Sequence, residues 1–168
     1  MIGLTPLIME EDVLHRVNSL YNHVWNVNGV EFVQRIKRHF TYPGFIGILA
    51  SQGAEVMGFV YGYASVKGQY YHELLCQQLS VSEQRLWLED CFELVELAVH
   101  PSIRRQRLGQ RLVQSLMEQV TCQTAILTTQ KNNIPALGLY KQLNWEVVKD
   151  DFFPTQQQEA YLIMGKEL

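Results

Sequence analysis

Apolar residues recur at helical spacing in two early stretches of the chain. Val13, Leu14, Val17 and Leu20 within residues 10–25, and Val30, Phe32, Val33 and Ile36 within residues 30–40, each trace one face of an amphipathic helix behind a short first strand. The period then changes. Residues 42–51 and 55–65 are apolar and aromatic runs that predict two strands, and Gln52 and Gly53 between them predict a hairpin turn. Residues 67–90 are less regular, with helical patches. The run CFELVELAV, residues 91–99, predicts a strand that stops at His100 and Pro101, and residues 107–120 predict a helix buried along Leu108, Leu112, Leu116 and Val120. TAILTTQ, residues 124–130, reads as another strand. The next helix, within residues 132–145, has Asn132 or Asn133 as cap, Pro135 in its first turn and Asn144 as a left-handed stop. Residues 145–149 and 159–164 supply two last strands, and the connection 150–158 is too short to read as disordered. With no repeat or linker, this order predicts an α/β fold, a mixed sheet with helices against it, in a single domain over residues 1–168.

Composition narrows the possible functions. A chain of 168 residues that is 47% hydrophobic can bury a core without disulfides. A net charge of −3, from 17 acidic and 14 basic residues, gives no global field toward nucleic acid or an anionic membrane. Cys76, Cys91 and Cys122 lack C-x-x-C spacing, which predicts reduced core thiols and neither a disulfide framework nor a metal site. The N-terminal stretch has no basic region, and no apolar run approaches the roughly 20 residues of a membrane span, so the expected location is cytoplasmic.

Against this mild acidity, Arg104, Arg105, Arg107 and Arg111 cluster between the strand at 91–99 and the helix that follows. A strand running directly into a helix leaves the first helical amides unpaired and adds the positive end of the backbone dipole. Guanidinium groups in the same turn supply charge-assisted donors, so the arrangement suits a diphosphate. A solvated basic face would look the same by charge alone. Gly109 in the first helical turn favours the ligand reading, because a missing side chain permits close approach. Neither of the common glycine-rich phosphate loops occurs in the chain.

The segments LAVHPSIRRQRLGQRLV and NNIPALGLYKQLNW together resemble the GNAT superfamily of acetyl-CoA-dependent N-acetyltransferases, and the element order fits from end to end. The family's loop pattern, [RQ]-x-x-G-x-[GA], falls on Arg104, Arg105, Gln106, Arg107, Leu108 and Gly109, with Arg107 where the first glycine is usual. If the backbone there needs positive φ, arginine costs about 1–2 kcal/mol over glycine. Asn133, Ala136 and Tyr140 match the second motif, while Asn144 and Trp145 replace its final Gly-Phe. The resemblance implies a mostly antiparallel central sheet flanked by about four helices. It also implies acetyl-CoA as co-substrate, contacted by Leu97, Ala98 and Val99 along the strand, by Arg104 to Gln110 in the turn, and by Asn133, Ala136 and Tyr140.

Acetyl transfer to an amine needs a proton acceptor, because an alkyl amine is almost all ammonium at neutral pH. Glu93 and Glu96 are the candidates, and an unbroken strand aims them at opposite faces, each inside an apolar row. Such carboxylates are costly unless paired or working, and burial raises their pKa toward a useful base. The plain alternative is that one is solvated at the strand start and the other pairs with an arginine. Glu93 matches the place where histone-type relatives carry their base, so the resemblance puts Glu93 first and Glu96 second as base, and Tyr140 matches the family's general acid. For the acceptor side the candidates are Tyr70, Tyr71 and Trp25, with the segment 67–90 as a helical insert there; His23, Trp25 and Phe152 can reach the mouth but fit ordinary core or rim better. Five acidic residues against one arginine between Glu83 and Glu96 favour a cationic acceptor, a small-molecule or peptide amine, though solvated helix faces explain the bias equally well. The expected reaction is direct transfer in a ternary complex without metal, nucleic acid or membrane, with homodimerisation open. The alternative is a non-catalytic acyl-CoA-binding sensor or scaffold, or an interaction protein using the arginines as a nucleic-acid patch.

Overall fold

The two amphipathic stretches are helices in the computed structural model, which describes residues 1–156 and 159–168. In chain order the elements are β1 (Gly3–Pro6), α1 (Glu11–Trp25), α2 (Glu31–Phe40), β2 (Ile46–Gln52), β3 (Glu55–Ser65), α3 (Tyr70–Gln78), α4 (Val81–Trp87), β4 (Cys91–Val99), a 3-10 turn (Pro101–Ile103), α5 (Leu108–Met117), β5 (Thr124–Gln130), α6 (Ile134–Gln142), β6 (Glu146–Phe152) and β7 (Tyr161–Glu167). The seven strands form one mixed sheet in the order β1-β2-β3-β4-β5-β7-β6. Among the described residues six α-helices stand where about four were expected, because the segment 67–90 folds into both α3 and α4. Of the connection 150–158, Gln157 and Gln158 lie outside the described residues.

Two compact units make up the chain: Met1–Tyr63 with Leu94–Val120, and Ala64–Glu93 with Thr121–Leu168. In the first, the helical stripes predicted from spacing form the core, with Leu14, Val17, Phe32, Ile36, Phe59 and Tyr61 buried together. Val30 does not join it. It precedes α2 and is 59% exposed, so the buried face of that helix is Phe32, Ile36 and His39. The β2–β3 hairpin is antiparallel and pairs Gln52 with Glu55, which moves the turn to Gly53 and Ala54, with Gly53 at φ +61°. Helix α5 ends at Met117, leaving Val120 half-buried in the turn beyond it.

In the second unit, Leu75, Trp87, Cys91, Ile126, Phe152 and Ile163 form the core. Strand β5 runs parallel to β4, with Cys91 opposite Thr124, and antiparallel to β7. Ser80 and Glu83 close a reciprocal capping box that starts α4 and presents Trp87 to the core. A methyl added at Gly165 would lie 2.6 Å from two ring carbons of Trp87 and 2.9 Å from Val148. Gly165→Ala is therefore expected to cost about 1–3 kcal/mol by overpacking, read as a lower urea midpoint. A midpoint equal to wild type would show that the ring shifts freely.

Candidate active site

The turn between β4 and α5 is anchored at His100. The His100 amide bonds the Met57 carbonyl at 2.8 Å, and the His100 ring takes the Ser102 amide at 3.2 Å, fixing the 3-10 turn. Arg105 and Arg107 then both adopt positive φ of 63°, and Arg107 is the residue that starts α5. The left-handed geometry weighed for the glycine position is thus present, with arginine in it. Strain of about 1–2 kcal/mol per residue is the expected cost. The Arg111 amide bonds the Arg107 carbonyl at 3.0 Å to open the helix, so the amides of Leu108, Gly109 and Gln110 precede the helix's own ladder. No acidic residue occupies the first turn and no side chain caps it. Arg104, Arg105 and Arg107 are exposed, and among the described residues no carboxylate reaches them at ion-pair distance. Left-handed turns before a helix and unneutralised guanidinium groups make an anion cradle.

Sequence reasoning assigned the close approach here to Gly109. A sharper case is Gly58 on β3, where an added Cβ would sit 3.0 Å from the Ala98 carbonyl and 3.1 and 3.3 Å from Leu112 and Leu108 of α5. A glycine inside an otherwise apolar strand was the available signal. Leu97 and Val99 are half-buried on β4, and Ala98 is buried.

Glu96 does not stand alone. Its carboxylate accepts from Arg35 Nη2 at 3.1 Å and from the Trp25 side chain, and it is 13% exposed. Burial pushes its pKa up to about 7 from an ordinary 4.5, against the lowering pull of Arg35 and Trp25. The pairing with an arginine that sequence reasoning weighed is therefore present, but the arginine comes from α2 and not from the basic turn. Arg35 also donates to the Tyr21 hydroxyl at 3.3 Å. Beside this group opens a cavity of about 490 Å³, lined in part by Tyr21, Asn22, Phe32, Arg35 and Arg38. Trp25, 41% exposed, is thus brought together with Glu96. His23 lies on the surface with its ring stacked on His100 at 5.3 Å.

Within the second unit, Glu93 is 5% exposed and pairs through its backbone position with Ile126. Tyr140 is buried on α6 with its ring 5.8 Å from that of Trp145. Asn133 is the cap of α6, its side chain accepting from the Ala136 amide at 3.3 Å, and Asn144 takes φ +66° in the place of the motif's glycine. Asparagine tolerates that conformation better than other side chains, which explains the exchange. Tyr71 bonds Thr128 at 2.6 Å and burial pushes its phenol up, whereas Tyr70 is 73% exposed. Phe152 is core. Cys91 is buried, Cys76 and Cys122 are half-buried, and burial raises all three thiols, disfavouring the nucleophilic thiolate. Among the described residues no group of three His, Cys, Asp or Glu could hold a metal, and no helix is long and apolar enough to cross a membrane.

The model of the acetyltransferase (GNAT) family matches residues 14–145, a span that includes the arginine turn and α6. The chain belongs to the GNAT acetyltransferase family. Solved structures share the acetyltransferase fold at low identity. The ribosomal-protein-S18-alanine N-acetyltransferase from Escherichia coli is 17% identical with a TM-score of 0.69, over 99% of this chain and 94% of that one. Arabidopsis thaliana NAA60 in complex with acetyl-CoA is 17% identical with a TM-score of 0.72, over 100% and 99% of the two chains. A chain of the NatC complex bound to Gag peptide and CoA is 15% identical with a TM-score of 0.72, over 99% and 98%. No curated protein sequence matches the chain.

Proposed function

We propose that residues 1–168 act as one acetyl-CoA-dependent N-acetyltransferase domain that moves the acetyl group to a primary amine of a peptide or small molecule. The observation that carries this reading is the arginine turn: two strained left-handed arginines and three leading amides of α5, with no acidic residue in its first turn, in a GNAT family chain. Arg104, Arg105 and Arg107, with Gln106 and the amides of Leu108, Gly109 and Gln110, would hold the pyrophosphate of the coenzyme. Leu97, Ala98 and Val99 would offer backbone groups to its pantetheine arm as an added strand, with Asn133 and Ala136 as further contacts.

Glu96, paired with Arg35 and with its pKa near neutrality, is preferred as base over Glu93, which the resemblance puts first. The carboxylate takes one proton from the ammonium, the neutral amine nitrogen bonds the thioester carbon, and the carbon–sulfur bond breaks as the Tyr140 phenol protonates the departing thiolate. The second nitrogen proton returns to the Tyr140 oxygen and the carboxyl releases its proton to solvent. Trp25, Tyr70 and Tyr71 are proposed for the acceptor side. A peptide or protein acceptor gains support from the fold neighbours, one an N-acetyltransferase of ribosomal-protein-S18 alanine and one bound to a Gag peptide. Free cysteines support a cytoplasmic location.

The test is release of CoA thiol from acetyl-CoA with a panel of peptide N-termini, polyamines and small amines. Turnover with at least one class is expected, and Tyr140→Phe is expected to lower kcat about 10²-fold with little change in KM for acetyl-CoA. Unchanged kcat removes Tyr140 from the reaction. Coenzyme binding without turnover on any amine favours the sensor or scaffold reading.

A further inference from the structure

Arg35 occupies α2, 61 residues before Glu96 in sequence, and belongs to neither motif. Its guanidinium carbon lies 5.5 Å from the centroid of Tyr21 and 5.4 Å from that of Phe32, two rings stacked on each other at 4.2 Å. Its Nη2 reaches both the Tyr21 hydroxyl and the Glu96 carboxylate, and its buried Nε has no acceptor among the described residues. An arginine used only as a surface cation would keep its head in water. This one is 37% exposed and fixed by two rings, a hydroxyl and a carboxylate.

We infer that Arg35 is a positioning residue for acetyl transfer, holding the Glu96 carboxylate in one place through their ion pair. The inference rests on the reading of Glu96 as the base. The groups facing Glu96 are Arg35 from α2 and Trp25 from α1, while Tyr21 of α1 and Tyr61 of β3 act on Arg35. Of these, Arg35 is the one that carries a full charge at neutral pH. A carboxyl buried in an apolar row binds its proton more tightly when the neighbouring cation is removed, typically by about one to three pH units.

Arg35→Gln tests this, with Arg35→Met as a second neutral side chain should the first not fold, and Arg35→Lys as the charge-retaining control. The carboxyl carbon of Glu96, assigned with Glu96→Gln, is titrated by NMR in the free protein, and the pH profile of kcat is taken with one saturating amine. Both the carboxyl titration and the acidic limb of kcat are expected to move upward by about one unit or more in the neutral variants. Activity at pH 7 then falls about tenfold and recovers at higher pH, and Arg35→Lys, which restores the charge but not the planar fork, reverses part of both shifts. A carboxyl titration that does not move, while Glu96→Gln still loses the limb, overturns the inference and leaves Glu96 as the base. A carboxyl that moves while the limb stays in place overturns the reading of Glu96 itself, and the inference with it.

Discussion

Glu96→Gln is expected to slow acetyl transfer by about 10²–10⁴-fold at neutral pH and, in the same variant, to stabilise the fold above pH 7. Both effects come from one carboxyl whose pKa burial raises to about 7 from 4.5. Between those values the folded chain keeps a proton that the unfolded chain releases. The stabilising contribution is full below pH 4.5 and is lost as pH rises through 7, so at pH 8 the ionised group costs up to about 3 kcal/mol. Glutamine removes that cost and leaves Arg35 an amide oxygen to bond.

His39 works in the opposite direction. Its ring nitrogen lies 3.0 Å from the Tyr61 hydroxyl, and burial, with Arg38 and Arg35, pushes its pKa down to about 4 from 6.5. Its contribution is present above pH 6.5 and is lost as pH falls through 4, when the unfolded chain takes the proton first. The two slopes oppose each other across pH 4.5–6.5 in wild type. With glutamine at 96 the histidine slope is exposed, and stability should rise with pH across that window more steeply than in wild type. Melting temperatures from pH 4.5 to 8 read this directly. A constant gap between the two proteins at all pH values would contradict the buried-carboxyl account, and an unchanged kcat would remove Glu96 from the reaction.

The second large effect lies in the arginine turn, where affinity and stability separate. Replacing Arg104 and Arg105 together by glutamine is expected to weaken acetyl-CoA binding by about 10²–10⁴-fold, since each charge-assisted bond is worth about 1.5–3 kcal/mol. Both side chains are exposed and without ion-pair partners among the described residues, so the melting temperature should barely change. Arg107→Gly separates the two quantities further. At φ +63° glycine relieves about 1–2 kcal/mol of strain, so the variant should melt higher while binding acetyl-CoA about tenfold more weakly. A higher melting temperature with unchanged affinity would mean that Arg107 takes no part in holding the coenzyme.

Local patterns in the chain were sufficient where one element decides its own shape. The apolar run closed by His100 and Pro101 is β4 to the residue, and Asn133 and Asn144 bound α6 as their side chains favour. The helical stripes of α1 and α5 hold because burial follows the 3.6-residue period. Val30 and Val120 fail because each sits just past a helix end, where the period no longer controls exposure. Contacts between distant elements left no local trace. Arg35 reads as an ordinary helical cation until the fold sets it on Glu96, and Gly58 as an ordinary strand glycine until α5 packs on it. Nothing in the residue type announces Arg105 at positive φ, because arginine has no preference for that region. The carboxylate's environment, which decides its use as a base, was therefore the least legible part of the site.

The most direct measurement is calorimetric titration of the protein with CoA. A saturable heat with a dissociation constant in the micromolar range, lost in the Arg104 and Arg105 double variant and not reproduced by an oligonucleotide, is the result this account requires. No heat with CoA from the folded protein, or a heat left unchanged by the double variant, would contradict the assignment of the β4–α5 turn as the coenzyme clamp.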